Sequence, residues 1–329
     1  MAAMNVAVEQ VRRMRGGAQA QLMRCDDDAY YIVKFQNNPQ HLRILANEML
    51  ATRLAARLGL CVPQVEVVEV RPEIIAYTPD LVIQLGLGRK PCAAGKQFGS
   101  QFPGHPARTA VHDFLPDEQL SGVRNLCDFL GVLVLDKWTC NTNGRQAIFF
   151  REPGGPANAA ASPGAAPLGL GRTPGHAALD TTAAGYTGMG HTTMGHTAMN
   201  YTMNDTTSGY TTMGYTAMMI DFGFCFNAGE WDFPDAPLRG LYTRQRVYEN
   251  VFGMEAFELW LARLETQITA RVLGEEAAQI PPEWYAGDWN ALEQLLERLD
   301  RRLERVRELI FSARNSGRDP FPNWKVRHA

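Results

Sequence analysis

A strand followed by a long helix is the clearest local pattern in the chain, and it occupies residues 30–63, YYIVKFQNNPQHLRILANEMLATRLAARLGLCVP. Residues 30–35 are aromatic or β-branched apart from one lysine, which predicts a β-strand. Leucine and methionine then recur at helical spacing over 41–58, and Gly59 occupies the position just past a helix end that glycine prefers. The pattern therefore predicts a strand, a helix and then another strand over 65–70.

Further strands and helices are predicted on both sides of this unit. The strands lie at 6–14, 19–25, 147–150 and 218–220, and the helices at 116–138 and 288–313. The last helix is amphipathic, with leucines on one stripe and charged residues on the other side. No element is assigned within residues 71–112, which are rich in Gly and Pro. The N-terminal third is thus predicted to be strand-rich and the C-terminal part mainly helical.

Composition bounds the class of protein. The chain has 329 residues, 45% of them hydrophobic, and a net charge of −3, so it can bury a large core and offers no general attraction to nucleic acid. The six cysteines include no CxxC pair, which favours reduced thiols over a zinc site. No apolar run reaches the ~18 residues of a membrane span. We expect a cytoplasmic protein with no direct nucleic-acid partner and no membrane partner.

Residues 153–217 differ in composition from the rest. Gly, Ala and Pro dominate the first half, and pentads such as YTGMG and HTTMG fill the second. Because such a segment has few core-forming residues, it is predicted to be a disordered, low-complexity insert. Its His191 and His196, with several methionines, leave soft-metal binding open as an alternative to simple repeat expansion. A gating or partner-binding role for the insert is a further hypothesis.

Lys34 and Glu48 are the first candidates for chemistry. Lys34 ends the strongest strand, and Glu48 follows on the next helix. A strand lysine held by a helix glutamate places a fixed positive charge on nucleotide phosphates. The alternative is an edge-strand lysine that reaches into solvent.

Two glycines and one aspartate extend this pattern. Gly16 and Gly17 lie between the first two strands, where backbone amides can approach phosphates, although a Gly-Gly pair is also an ordinary hairpin turn. Asp221, followed by Phe and Gly after an apolar triplet, suits a carboxylate that holds Mg²⁺ on phosphates. The order of these residues along the chain is the order found in kinases.

A loop at 136–146, DKWTCNTNGRQ, is the candidate catalytic loop. Asp136 and Asn141 have the D-x4-N spacing of a catalytic base and a metal-binding asparagine. A helix-terminal aspartate followed by an Asn-rich turn is the competing interpretation.

These stretches together resemble the HipA-like kinases. The resemblance rests on YYIVKF and NEMLATRLAARLGLCVP, on FGSQFPG at 98–104, on the 136–146 loop and on IDFGFCFNAGEW at 220–231. It implies an α+β, two-lobed protein-kinase-like fold with ATP between a strand-rich N-lobe, 1–112, and a mainly helical C-lobe, 113–329. It also implies that Lys34 contacts phosphates, that Glu48 supports Lys34 and that Asp221 holds Mg²⁺.

The loop departs from the family pattern at its central residue. The family commonly has N-T-D there, with the aspartate as base, and the matching residue is Asn143. The metal-binding asparagine expected five residues later falls at Ile148. Asn141, Arg145 and Gln146 remain candidates for contact with phosphate or metal. The expected function is an ATP- and Mg²⁺-dependent kinase acting on a protein or small-molecule hydroxyl; the alternatives are a nucleotide-binding pseudokinase that serves as an interaction module, and a scaffold protein.

Overall fold

The computed structural model describes residues 4–151 and 214–325. The N-terminal part contains more strands than helices. Its elements are β1 (Asn5–Arg13), β2 (Gln21–Cys25), β3 (Tyr30–Lys34), α1 (Ile44–Arg57), β4 (Val65–Val70), α2 (Pro72–Tyr77), β5 (Val82–Leu85), β6 (Gly88–Pro91), β7 (Gly95–Gln101) and β8 (Val111–His112).

Five of these strands close into a barrel in the order β1-β2-β3-β7-β4. Neighbouring strands are antiparallel except at the closing pair, where β1 lies parallel to β4. Alternate side chains point inward and form a small core that includes Met23, Tyr31, Val33 and Val68. The β5–β6 hairpin contributes Ile83 to the same core.

The C-terminal part is mainly helical. Its elements are α3 (Asp117–Leu120), α4 (Asp128–Trp138), β9 (Gln146–Phe150), β10 (Thr216–Ile220), α5 (Glu258–Gln267), α6 (Ala270–Ala277), α7 (Trp289–Arg302) and α8 (Val306–Arg314), with short 3₁₀ turns at Gln245–Tyr248, Met254–Phe257, Pro282–Tyr285 and Leu303–Arg305. Strands β9 and β10 pair antiparallel, and β8 extends their sheet. The predicted α+β fold with a strand-rich N-lobe and a mainly helical C-lobe is confirmed.

Helix α1 packs in the large core that contains α4 and the C-terminal helices, not in the core of the barrel. Eleven of its fourteen residues are buried, and its apolar side chains join one continuous cluster with α4 and the C-terminal helices. Ion pairs also fix its C-terminal half: Glu276 of α6 is 4% exposed and contacts Arg57 Nη2 at 2.6 Å and Arg53 Nη1 at 3.5 Å. Gly59 ends the helix with a left-handed φ of 79°, as its position predicted.

The predicted helix over 116–138 is wrong in its first half. Residues 121–127 leave the helix because they pair with the start of β10: Val123 bridges Tyr215, and Arg124 N donates to Tyr215 O at 2.9 Å. The Asn125 side chain bonds the backbone of Ala217 in both directions. Long-range pairing of this kind leaves no trace in local periodicity, so the helix begins only at Asp128.

Two other predicted boundaries need correction. The helix over 288–313 is interrupted by the 3₁₀ turn at Leu303–Arg305, where Arg302 and Arg305 both pair with Asp235. The insert predicted over 153–217 ends earlier, because residues 216 and 217 already belong to β10. The predicted disorder of that insert, and its His191 and His196, lie outside the described residues. Among the helices that are described, none has the length and apolar character to cross a bilayer.

Candidate functional site

Lys34, Glu48 and Asp221 meet between the two parts of the protein. Lys34 ends β3, Glu48 lies in α1, and Asp221 follows β10 directly. Lys34 Nζ forms an ion pair with Glu48 and donates to Asp221 Oδ1 at 2.8 Å. The Lys34 side chain is 10% exposed and that of Asp221 is 18% exposed. The structure therefore brings together three residues that lie up to 187 positions apart in sequence.

Charge is balanced tightly in this cluster. Burial alone would lower the pKa of Lys34, but Asp221 and Glu48 outweigh it and raise that pKa above its ordinary value. Burial likewise opposes ionisation of Asp221, yet the Lys34 ammonium holds the pKa of Asp221 below its usual range. Burial raises the pKa of Glu48, and Lys34 offsets part of that rise. Lys34 is thus a permanent cation at neutral pH.

Glu48 also fixes the turn that carries Asp221. Its two carboxylate oxygens accept from Phe222 N at 3.1 Å and from Gly223 N at 2.8 Å. The approach is close: a Cβ at position 223 would lie 2.6 Å from Ile44 Cγ1 and 2.9 Å from Glu48 Oε1. Only glycine fits there, which explains the Gly of the Asp-Phe-Gly turn in steric terms.

Asn47 is a site residue that the sequence analysis missed. Its Nδ2 lies within 2.7–3.0 Å of the carbonyl oxygens of Gly223, Cys225 and Ala228, and its Oδ1 accepts from Trp231 Nε1 at 2.7 Å. A buried asparagine must find hydrogen-bond partners, so a polar residue on the buried side of an apolar helix was the available signal. Asn47 and Glu48 together attach α1 to the whole segment after the turn.

Gln146 bonds Asp221 of this centre, and Gly16 and Gly17 lie in the turn between β1 and β2. Gln146 Nε2 donates to the second oxygen of Asp221 at 2.7 Å, and its side chain is otherwise exposed. Gly16, with φ of 113°, and Gly17 lie in the β1–β2 turn at the Lys34 end of β3, because Gln21 pairs with Val33 there. Contact of these three residues with a nucleotide phosphate stays a prediction.

Asp136, Asn141 and Arg145 form a separate, interior network. The Asp136 and Arg145 side chains are both 0% exposed, and two bonds of 2.5 and 2.9 Å join them. Asn141 Nδ2 donates to Asp136 Oδ1 at 3.0 Å. Arg145 then donates to Ile220 O at 2.7 Å and stacks over the Phe222 ring at 4.2 Å.

The geometry of this network weighs against three predicted roles, which stay predictions. With no exposed side-chain surface and an arginine on both oxygens, Asp136 is not placed to accept a proton from a substrate hydroxyl. Arg145 is likewise occupied by Asp136 rather than directed at phosphate, and Asn141 positions the loop instead of facing a metal. Their contacts support the turn around Asp221, because Arg145 bonds the backbone of Ile220 and stacks on Phe222. The D-x4-N spacing identified neighbours correctly but could not tell which way they face.

Asn143 occupies the more accessible part of the loop. It is half-buried, its backbone N donates to Asn141 Oδ1 at 3.0 Å, and its own Oδ1 accepts from Gly144 N at 2.9 Å. Thr142 N donates to Phe224 O at 3.0 Å, which ties the loop to the segment after Asp221. Ile148 lies within β9, paired with Met218, and offers no ligand atom.

The residues present fit a magnesium ion whose ligands are mainly phosphate oxygens. Mg²⁺ in nucleotide sites takes one or two protein oxygens and completes its shell with phosphates and water. Asp221 supplies one carboxylate, and Gln146 Nε2 donates to the second oxygen of that carboxylate. In the part of the chain described, no group of three or more His, Cys, Asp and Glu is arranged to hold a metal ion by itself. A metal here would therefore depend on the nucleotide.

A strand lysine held by a helix glutamate, facing an Asp-Phe-Gly turn in a two-lobed α+β fold, defines a protein-kinase-like architecture. Residues 7–143 match the model of the HipA-like kinase family. The predicted resemblance is therefore confirmed over those residues, which include Lys34, Glu48 and Asn143. Asp221 lies beyond the matched range.

Similar proteins were also found among solved structures. The chain is similar to the proinflammatory kinase CtkA of Helicobacter pylori, with 11% identity, 94% of this chain and 96% of that chain covered, and a TM-score of 0.48. It is also similar to the Golgi casein kinase, with 11% identity, 94% and 74% covered and a TM-score of 0.44. A form of the Golgi casein kinase with Mn/ADP bound gives 9% identity, 94% and 73% covered and a TM-score of 0.41. No curated protein matches the chain.

Proposed function

We propose that the protein binds ATP with Mg²⁺ between its two lobes and transfers the terminal phosphate to a hydroxyl group. The contact of Lys34 with both Glu48 and Asp221 is the observation that carries this proposal. An ammonium group has three N–H donors. Glu48 and Asp221 take two of them, which leaves the third for a phosphate oxygen.

The chain's own residues would bind and orient the nucleotide. Lys34 supplies positive charge to the phosphates, and Glu48 keeps the lysine in place by bonding it and the turn at the same time. Asp221 would hold the metal, with Gln146 orienting its carboxylate, and the metal would supply charge neutralisation between the phosphates when bound. The backbone amides near Gly16 and Gly17 would cover the phosphates from the N-lobe.

ATP binding is tested by thermal unfolding of the full chain with and without MgATP. Because ligand binding to the native state alone stabilises it, ATP at 100 times its Kd is expected to add about 2.7 kcal/mol to the free energy of unfolding. GTP and free Mg²⁺ serve as comparison ligands. A melting temperature that no nucleotide changes would contradict both the kinase and the pseudokinase proposals.

Substitution of Asn143 by aspartate is expected to raise the rate of phosphoryl transfer. An amide cannot accept the hydroxyl proton, whereas a carboxylate at this half-buried position can, and a general base contributes on the order of 10²-fold. The measurement is transfer of radiolabelled phosphate from ATP to the chain itself and to a generic protein substrate. Asn143→Ala is the matched control and should leave the wild-type rate unchanged. A slower Asn143→Asp variant would place the base elsewhere.

A nucleotide-binding pseudokinase is the second candidate. Two observations favour it: Asp136 has no exposed side-chain surface, and the accessible loop residue is the amide Asn143. Kinase chemistry rests mainly on positioning and charge neutralisation, so turnover does not strictly require a base. Stabilisation by MgATP without any transfer of labelled phosphate would favour the pseudokinase over the kinase.

A further inference from the structure

Two turns of the N-terminal part lie side by side and project from it. One joins β1 to β2 and contains Gly16, and the other joins β5 to β6 and contains Gly86. A Cβ built at either glycine would meet nothing within 4 Å, so both turns point into open space. The Gln19 side chain ties them together, because its Oε1 accepts from Gln84 N at 2.6 Å and its Nε2 donates to Gln84 O at 2.8 Å. The two turns therefore form one surface.

Four exposed cations surround these turns. Arg13 ends β1 and donates to the side chain of Gln19, and Arg15 lies within the first turn. Arg89 and Lys90 lie in β6, directly after the second turn, and Arg89 pairs across the hairpin with the same residue that Gln19 bonds. The four side chains are long enough to reach past both turns into solvent.

No carboxylate pairs with these cations. In the part of the chain that the structure describes, none of the four takes part in an ion pair. The two stretches that carry them, 10–25 and 81–112, contain no Asp or Glu at all. The local charge is thus opposite in sign to the net charge of −3 of the whole chain.

The acidic residues nearby do not offset this charge. Glu9 pairs with Arg24 at 2.9 Å, farther back along β1. Asp80 precedes β5, at the end of that strand away from the turn. The α2 segment brings Arg71 and Glu73, whose charges cancel. Among the described residues, an excess of positive charge therefore remains around the two turns.

Apolar side chains lie in the middle of these cations. Leu87 is the second residue of the two-residue turn between Leu85 and Gly88, and it is 101% exposed. Gly86, the first residue of that turn, has the left-handed φ of 58° that such a hairpin requires. Leu85 is also 40% exposed. We use the name basic tip for the set Arg13, Arg15, Leu85, Leu87, Arg89 and Lys90.

We propose that the basic tip binds the surface of an anionic lipid bilayer. Each Lys or Arg close to such a surface strengthens binding about fivefold through attraction to the negative head groups. The side chain of Leu87 can enter the boundary between head groups and acyl chains, where its apolar surface leaves water. A projecting turn suits a flat and deformable layer. An acidic peptide, in contrast, gains contacts beyond charge only where a groove or a strand edge receives it.

The overall charge of the chain does not decide this question. Exposed charges act over a Debye length of about 10 Å at 0.1 M salt, so a bilayer responds to the residues that face it. The expectation of no membrane partner rested on the net charge and on the lack of a long apolar run, and neither describes a local surface. The inference stands apart from nucleotide binding and applies equally to a kinase and a pseudokinase.

Co-sedimentation of the full chain with lipid vesicles, without nucleotide, tests this surface. One set of vesicles is phosphatidylcholine alone, and the other contains phosphatidylserine as a minor component. We expect the chain to bind the anionic vesicles at least about tenfold more tightly than the neutral ones, because attraction to the head-group charge supplies most of the binding. Added salt should weaken the binding, since it screens exposed charges.

Two variants locate the site. Arg89→Gln/Lys90→Gln is expected to weaken binding to anionic vesicles about 20-fold, and Leu87→Ser about tenfold. All three side chains are exposed, so the fold should persist. The matched controls are Arg271→Gln and Leu259→Ser, because these side chains are also exposed but lie on C-terminal helices. Both controls should bind the vesicles as the wild type does.

Lys34→Met should retain vesicle binding, which distinguishes this result from failure of the nucleotide site. Four results would overturn the proposal. They are equal binding to neutral and anionic vesicles, unchanged binding in the Arg89→Gln/Lys90→Gln variant, displacement of the chain from vesicles by a short polyglutamate peptide, and displacement by a single-stranded oligonucleotide. The last two would assign the surface to an acidic protein or to a nucleic acid.

Discussion

Replacement of Lys34 by methionine is expected to abolish the stabilisation that MgATP gives to the wild-type chain. Methionine keeps the apolar stem of the lysine but removes the cation that joins Glu48 and Asp221. The phosphates then lose their fixed positive partner, and the rate of phosphoryl transfer should fall by about 100-fold or more. Asp221→Asn, which preserves shape and removes charge, should have an equally large effect on transfer.

The nucleotide effect must be measured within each variant. Lys34→Met leaves two buried carboxylates without their cation, so the variant itself is expected to be less stable. The informative quantity is the change in melting temperature upon addition of MgATP. Lys96→Met is the matched control, because Lys96 is also a strand lysine paired with a glutamate, at 3.5 Å, but is 45% exposed. An undiminished nucleotide shift in Lys34→Met would mean that ATP binds elsewhere or that Lys34 does not contact it.

Asp136→Ala is expected to lower the free energy of unfolding, because Asp136 supports the interior of the protein and is not the catalytic base. The change leaves the guanidinium of Arg145 buried and unpaired, which typically costs about 3–5 kcal/mol in the free energy of unfolding. The double variant Asp136→Ala/Arg145→Met should recover much of that loss, because it removes both charges together. Urea unfolding of the single and double variants measures this coupling.

Asn143→Ala is the control for the Asp136 experiment. Its side chain is half-buried and bonds only a neighbouring backbone amide, so its free energy of unfolding should change by less than about 1 kcal/mol. Asp136→Ala could instead have the same free energy of unfolding as the wild type and yet lose phosphoryl transfer. That result would show that Asp136 acts directly in catalysis and is not an interior support.

The first 70 residues could be predicted well from the sequence because their signals are local, whereas no element was predicted within 71–112, where the structure has α2 and β5 to β8. Strand composition, helical spacing and Gly59 located β3, α1 and β4 within a few residues, and the order Lys34, Glu48, Asp221 was sufficient to predict a common centre. The pairing of 121–127 with β10 could not be predicted in the same way, since Tyr215 and Ala217 lie about ninety residues away along the chain. Local periodicity carries no record of such a partner.

The catalytic loop shows a different limit. Residue types and spacing suggested Asp136 as a base, but side-chain direction depends on the packing of α4 against the rest of the C-lobe. The same packing directs the guanidinium group of Arg145 towards Asp136 and not towards a phosphate. The role of Asn47 could not be predicted, because it depends on four partners that are far away in sequence. These are the carbonyl oxygens of Gly223, Cys225 and Ala228 and the indole N–H of Trp231.

The attachment of α1 at both ends has a consequence for control of the protein. Glu276 fixes its arginines, while Asn47 and Glu48 fix the segment after Asp221. These contacts hold α1 in the position in which the Lys34–Glu48 ion pair is formed. Under the proposed function, a nucleotide would meet this ion pair already formed, without a shift of the helix.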